Sequence, residues 1–423
     1  MSLLQANVLE RRRRIFRGWW IVAAAIVGQS FGLATLLVYT FGVFVKPLAE
    51  EFRSSRASIA LAVSLLDVAA TFFAPAVGRL VDRHGTRKAI AVSALSLAGC
   101  LAGLSFVRPP LWHLYALYLL AGCLGIATTP VTYSRVVANW FDRRRGLALG
   151  LASTGVGLGV FIGPSLAEFL IEQRGWRQAY LDLAACSLLV VLPAVVLFLI
   201  SRPEEVGLLP DGAVAAVAIK SEKLPVSGMT LSEAFRTPTF WLLCAIFFVV
   251  AACANGTAAH IAPLLSDRGT SGRTAAFAVS LFGFASIVGR VANGYLVDRF
   301  FAPRVVAIVF SGAAGGLALL WSGATGNLAF LAALLVGLAV GAESDVMPFL
   351  VSRYFGMRSM AELYGCAFGS YTLGNATGRY LMAAGYDATG SYRMPMAIAF
   401  GALVVAAFAT FGLGKYREFS ASE

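Results

Sequence analysis

Twelve long apolar runs alternate with short polar connections along the chain, at 18–45, 57–78, 88–107, 111–138, 146–171, 178–200, 239–265, 274–296, 304–322, 327–352, 362–386 and 393–414. About 20 mostly apolar residues span the hydrocarbon of a bilayer, so each run predicts a transmembrane helix. Basic residues precede the first run, as in a signal peptide. Its length and the runs behind it mark it instead as an uncleaved span. The runs divide equally about 201–238, the longest polar stretch, with Pro203, Pro210, Gly212, Lys220, Lys223 and Pro225. That stretch predicts a linker, and Thr230-x-x-Glu233 near its end has the form of a capping box opening a short helix. The expected fold is an all-α membrane protein: twelve transmembrane helices in two pseudo-symmetric six-helix bundles. Its parts are a basic N-terminus (1–17), a first bundle (18–200), the linker (201–238), a second bundle (239–414) and a tail (415–423).

Composition narrows the function. Apolar residues make up 58% of the chain and charged residues 13%, about half the ~25% of soluble domains. Mean hydropathy is +0.76. So few charges cannot cover the surface of a soluble enzyme. The net charge of +12 invites a nucleic-acid reading, but its distribution removes it. Of the 34 Lys and Arg, 22 fall in the N-terminus, the linker, the tail and the connections on that side, against 9 in the opposite connections. That asymmetry predicts a multi-pass protein of the plasma (inner) membrane with both termini and the linker in the cytoplasm. The basic excess also attracts the anionic lipid bilayer. Cys100, Cys123, Cys186, Cys244, Cys253 and Cys366 lie in apolar runs without a C-x-x-C pair, and the histidines are scattered. Neither a cofactor nor a metal site is expected, and no catalytic motif appears.

The halves echo each other. The sequence 78-GRLVDR-83 returns as 294-GYLVDR-299, and each copy follows the second run of its half. Trp140-Phe141 with Arg143 to Arg145 has a counterpart in Tyr354-Phe355 with Arg358, each after a fourth run. Such a duplication fits a transporter built from parallel repeats. Gly78-x-Leu80-x-Asp82-Arg83-x-Gly85-x-Arg87-Lys88 resembles the loop 2–3 signature of the major facilitator superfamily, and the resemblance extends over the chain. Gly18-Trp19, 140-WFDRRRGLALG-150, 202-RPEEVGLLPDG-212, 341-GAESD-345, 353-RYFG-356 and 386-YDATGSY-392 are similar to its bacterial branch of monocarboxylate transporters and oxalate–formate antiporters. The resemblance implies a secondary transporter for small organic anions, with spans three, six, nine and twelve on the lipid side.

Asp82 and Asp298 are carboxylates at the cytoplasmic face, able to accept from free N–H groups at a helix start. With Arg83, Arg87 and Arg299 they form either a cytoplasmic gate, paired across the bundles and broken on opening, or charge that merely sets topology. Charges inside spans are costly and normally face a cavity or a partner. Arg290 lies eight residues before Asp298, about 12 Å deep at 1.5 Å per residue and so near the midplane. Ser286, Arg290 and Asn293 share a helix face. A guanidinium matches a carboxylate bidentately, so Arg290 either anchors substrate or is locked to an internal acid such as Glu343. Its spacing to Gly294 also resembles the substrate arginine of monocarboxylate transporters. Tyr371, Asn375 and Arg379 share another face, and Arg379 is either a second anchor or a partner for an acid. Arg135 reads as a lower-gate residue. Glu343, Asp345, Asp67 and His260 are the proton-coupling candidates, each with a structural hydrogen bond as its alternative.

Two departures qualify the resemblance. Animal proton-coupled monocarboxylate transporters carry Asp where this chain has Ser286 and Lys where it has Tyr39. Their relay is absent, so proton symport needs another acid, with Glu343 as the expected one. Tyr39 becomes a substrate-contact candidate. Anion exchange of the oxalate–formate type is the alternative. A drug exporter would want an acidic cavity, where three arginines lie here. A non-transporting sensor would want an output domain.

Overall fold

Inside a bilayer no water satisfies backbone N–H and C=O groups, so apolar runs must bond internally as helices. The computed structural model describes residues 16–212 and 227–417. Arg11, Arg12, Arg13, Arg14, Lys220, Lys223 and Pro225 lie outside the described residues. All of the regular structure described is helical. We number the rods α1 (Gly18–Phe52), α2 (Arg56–His84), α3 (Thr86–Ser105), α4 (112–140), α5 (145–174), α6 (176–198), α7 (Pro238–Asp267), α8 (Gly272–Arg299), α9 (Ala302–Trp321), α10 (Gly326–Phe355), α11 (Met360–Thr389) and α12 (Arg393–Leu413). Among the described residues, nine helical stretches are long and apolar enough to cross a membrane; one of them, Arg145–Phe198, holds both α5 and α6.

The sequence explains where the rods depart from simple runs. α1 continues past Pro47 and stops where Arg53 turns left-handed (φ 48°). It also contains a π-helical segment, Ala34–Tyr39, a distortion common at functional sites. α4 breaks into Trp112–Leu124, a 3₁₀ turn Ile126–Thr128 and Pro130–Trp140. Pro130 lacks an N–H and pushes the preceding residue to extended backbone, and Thr129 has ψ 171°. At that break the Thr128 hydroxyl accepts from the Leu33 N–H of α1 at 3.0 Å. α5 and α6 meet at Gly175, whose φ of 78° suits a residue without Cβ.

Within each half the rods pack side by side: α8 on α10 and α7 on α11 in the second half, α2 on α4 in the first. Between halves the main crossings are α2 on α11 and α5 on α8. Both use the repeated glycine. A Cβ on Gly78 would meet the Ala361 carbonyl, and one on Gly294 would meet the Gly146 carbonyl. Small residues allow this backbone approach. α3, α6, α9 and α12 point bare apolar side chains outward, among them Val92, Leu189, Ile308 and Phe408, as lipid contact requires.

The linker is tied down at its second end. Met229 N–H donates to Phe355 O at 2.8 Å, and Met357 N–H donates to Ser227 O at 3.0 Å. The capping box is complete: Glu233 N–H donates to Thr230 Oγ1, and Thr230 N–H donates to Glu233 Oε2 at 2.7 Å. That bond holds the Glu233 carboxyl below its ordinary range.

Candidate functional site

Two polar regions lie on the seam between the halves, one at the linker end and one midway along the helices. At the linker end the repeated aspartates do the same thing twice. Asp82, in the last turn of α2, accepts from the N–H groups of Ala361 and Glu362 at 3.4 and 3.0 Å, at the start of α11. Asp298, in the last turn of α8, accepts from Gly146 and Leu147 at 2.7 and 2.8 Å, at the start of α5. Each carboxylate caps a helix of the opposite half, where free N–H groups and the helix dipole favour negative charge.

The surroundings of the two caps differ. Arg135 of α4 is buried and pairs with Asp82 at 3.1 Å. Arg79 of α2 bridges to Glu362 of α11 at 2.6 Å, and Arg353 of α10 bridges to Asp142 of the α4–α5 turn at 2.9 Å. Arg145 donates to Ser352 Oγ at 3.1 Å. Arg83, Arg87 and Arg299 sit on this face without carrying those links. Arg83 is exposed, Arg87 donates to Val196 O of its own half, and Arg299 lies over the Tyr295 ring at 4.4 Å. The cross-links come from Arg79, Glu362 and Arg353, which sequence reasoning missed. The usable signal was position: Arg79 is inside the signature and Glu362 opens the helix that Asp82 caps.

Midway along the helices, both halves contribute to one cluster. Tyr39, at the end of the π segment of α1, lies within electrostatic reach of Asp67 on α2, Arg290 on α8 and Arg379 on α11. Tyr371 of α11 lies within reach of Glu343, Tyr39 and both arginines. Tyr39 is 39% exposed. Asp67 and Ser286 are half-buried, and Arg379 is exposed.

The internal pairing differs from the expected one. Arg290 pairs with Asp345 at 3.5 Å, not with Glu343. Glu343 is fully buried and accepts from Asn255 of α7 at 2.9 Å. Its Oε1 has no hydrogen-bond partner among the described residues. The two acids are two residues apart and so face different ways around α10; Asp345 is the one turned to α8. Asn293 is buried and donates to Leu338 O at 3.1 Å, which serves α8–α10 packing rather than the cluster. Asn375 Oδ1 accepts from Arg379 Nε at 3.2 Å and orients that guanidinium. His260 places Nδ1 2.9 Å from Gly256 O of its own helix and packs on Tyr392. Asn255 was also missed, a single amide in an apolar run with no periodic signal. An apolar groove of about 540 Å³ lined by Phe248, Ala252, Leu381 and Ile398 lies apart from these charges, along α7, α11 and α12.

A model of the Major Facilitator Superfamily matches residues 28–378. The chain belongs to that superfamily. It is 30% identical to monocarboxylate transporter 11 of Mus musculus over 423 residues, covering 96% of this chain and 83% of that protein. It is 26% identical over 366 residues to the uncharacterized MFS-type transporter YhjX of Escherichia coli (strain K12), covering 84% and 85%. The crystal structure of the human organic anion transporter MFSD10 (TETRAN) has the same fold, with TM-score 0.69, 16% identity and coverage of 93% and 99%. Its relatives and fold make this chain a multi-span membrane transporter and not an enzyme.

Proposed function

We propose that this transporter moves a small organic anion, a monocarboxylate or related carboxylate, by alternating access with proton symport. The observation that carries the reading is the midway cluster. Arg290 and Arg379 from the second half and Asp67 from the first all lie within electrostatic reach of Tyr39. A membrane-buried arginine facing a cavity is costly unless an anion or acid offsets it. The similarity to a monocarboxylate transporter points to the same substrate class. The basic excess on one side supports an orientation with both termini and the linker in the cytoplasm of the cell that holds it in its plasma membrane. It also supports twelve spans with the domain limits expected above.

In this mechanism the incoming carboxylate binds Arg290 in competition with Asp345 and is met from the other half by Tyr39. Arg379, held by Asn375, adds a second positive field from the outer part of the site. Glu343 exchanges the proton, through the carboxyl oxygen that has no hydrogen-bond partner among the described residues. The Asp82 and Asp298 caps hold the cytoplasmic side shut while the outer side is open. Their release lets the halves rock about the site.

Uptake into proteoliposomes, using a panel of labelled carboxylates with and without an imposed pH gradient, tests the reading. Saturable uptake of a carboxylate that rises with inward proton force is the expected result. Transport that needs anion inside and ignores the pH gradient would establish exchange instead, the reading favoured by Ser286 and Tyr39 in place of the animal relay. No carboxylate uptake under either condition would overturn the proposal.

A further inference from the structure

A second charged cavity lies at the linker end, away from the transport cluster. It has a volume of about 680 Å³ and draws its walls from both halves, the linker and the segment after α12. Four cations line it, Arg145, Arg353, Lys415 and Arg417, against one acid, Asp142. That acid is already engaged twice: Arg353 holds it at 2.9 Å and Arg145 at 3.3 Å. Lys415 has no ion pair or hydrogen bond among the described residues, and Arg417 finds only the Met229 thioether at 3.5 Å. A thioether is a weak acceptor. Among the described residues, two cations in a concave site thus go without an anionic partner, beside two more that share the Asp142 carboxylate.

We propose that this cavity binds a phosphate-bearing anion. Guanidinium and ammonium groups arranged around a concavity suit phosphate oxygens, with arginine donating in pairs and lysine acting as a point charge. The chemistry fits two sources, the headgroup of an anionic phospholipid at the membrane surface and a free phosphorylated solute. The walls also dictate a consequence. Asp142 and Arg145 belong to the first half and Arg353 to the second, so the cavity is whole only while the linker ends of the halves are together. An anion bound there favours that state over the one with the linker end open, because a ligand shifts an equilibrium toward the conformer it binds better.

The test uses the purified full-length protein, inorganic pyrophosphate as soluble probe, and vesicles of phosphatidylcholine with or without phosphatidylglycerol. Paired spin labels at positions 83 and 358 report separation of the halves at the linker end. Pyrophosphate binding that weakens at least tenfold in the double variant Lys415→Gln, Arg417→Gln, but not in Arg83→Gln, supports the site with a soluble ligand. Both altered residues are exposed, so folding survives, and binding is compared only between samples of equal monodispersity. A shortening of the label distances by phosphatidylglycerol alone, lost in the double variant, supports the site with a lipid ligand. Equal pyrophosphate binding in the double variant, or no response to either probe, overturns it. Binding without any change in label distances overturns the state preference.

Discussion

At the linker end, Asp82 and Asp298 each close on two backbone N–H groups of the opposite half, and ion pairs cross the seam beside them. Midway along the same helices charged groups of both halves lie within electrostatic reach of one another, and three bonds there each join groups of the second half. Arg290 pairs with Asp345, Glu343 with Asn255, and Arg379 with Asn375. Tyr39 and Asp67 of the first half are both partly exposed. The first region joins the halves by direct bonds and is the latch of the proposed mechanism. The second gathers charges of both halves around Tyr39 and Tyr371, the place where the proposed mechanism puts the substrate.

The latch itself holds an asymmetry that a paired experiment exposes. Both aspartates lose charge-assisted bonds when replaced by Asn, but Asp82→Asn also strands Arg135, which is buried beside it at 3.1 Å. Removing one partner of a buried ion pair costs about 3–5 kcal/mol. Asp298→Asn keeps an acceptor for the same N–H groups and strands no comparably buried arginine, so its cost is about 1–2 kcal/mol. Thermal unfolding in detergent should rank Asp82→Asn well below Asp298→Asn, and both should lengthen spin-label distances across the linker end. Equal melting of the two variants would show that Arg135 does not depend on Asp82.

In the midway cluster, Arg290→Lys keeps the charge and loses the planar fork. One charge-assisted bond is worth about 1.5–3 kcal/mol, so carboxylate uptake should fall roughly 10- to 100-fold while the variant still inserts. The latch is untouched, so the linker-end distances should match the wild type. Unaltered substrate affinity in this variant would move the anchor to Arg379.

Glu343→Gln separates coupling from binding. The amide keeps the Asn255 contact in shape but cannot carry a proton. Accumulation driven by a pH gradient, worth about 1.4 kcal/mol per unit for one proton, should vanish while exchange of labelled for unlabelled anion persists. A variant that still concentrates substrate on the pH gradient alone would send the proton to Asp67.

Much of this was legible in the chain because it rests on local rules. Length and apolarity mark helices, and the duplicated Gly-x-Leu-Val-Asp-Arg marks both a backbone crossing at Gly78 and Gly294 and a cap at Asp82 and Asp298. The break at Pro130 and the turn at Gly175 follow from residue chemistry, yet both sit inside or between apolar runs that hide them. Partner choice was not legible. Depth suggests Glu343 as the internal acid for Arg290, and only the rotation of α10 against α8 shows that Asp345 is the one paired with it. Arg79 with Glu362, and Arg353 with Asp142, are separated by more than 200 residues in sequence, and no periodicity reports such pairs.

The smallest effect belongs to the capping box, which lies outside both regions and tests whether the linker merely joins the halves or helps hold the latch. The short helix Leu231–Phe235 begins where Met229 bonds Phe355, next to the loop between α10 and α11 whose far side Asp82 caps. Thr230→Ala removes one N-cap acceptor, at about 1 kcal/mol. Protection of the Glu233 amide against hydrogen exchange should drop about fivefold. The Glu233 carboxyl, held below its ordinary range by the Thr230 N–H, sets the direction with pH. A carboxyl with a lowered folded pKa stabilises above its unfolded value of 4.5, and that contribution is lost as pH falls through the folded value. Wild-type protection should therefore fall on acidification below that value, and Glu233→Gln should remove the dependence. If the linker is part of the latch, Thr230→Ala also lengthens the distance between labels at 83 and 358. If it only joins the halves, amide protection changes and that distance does not.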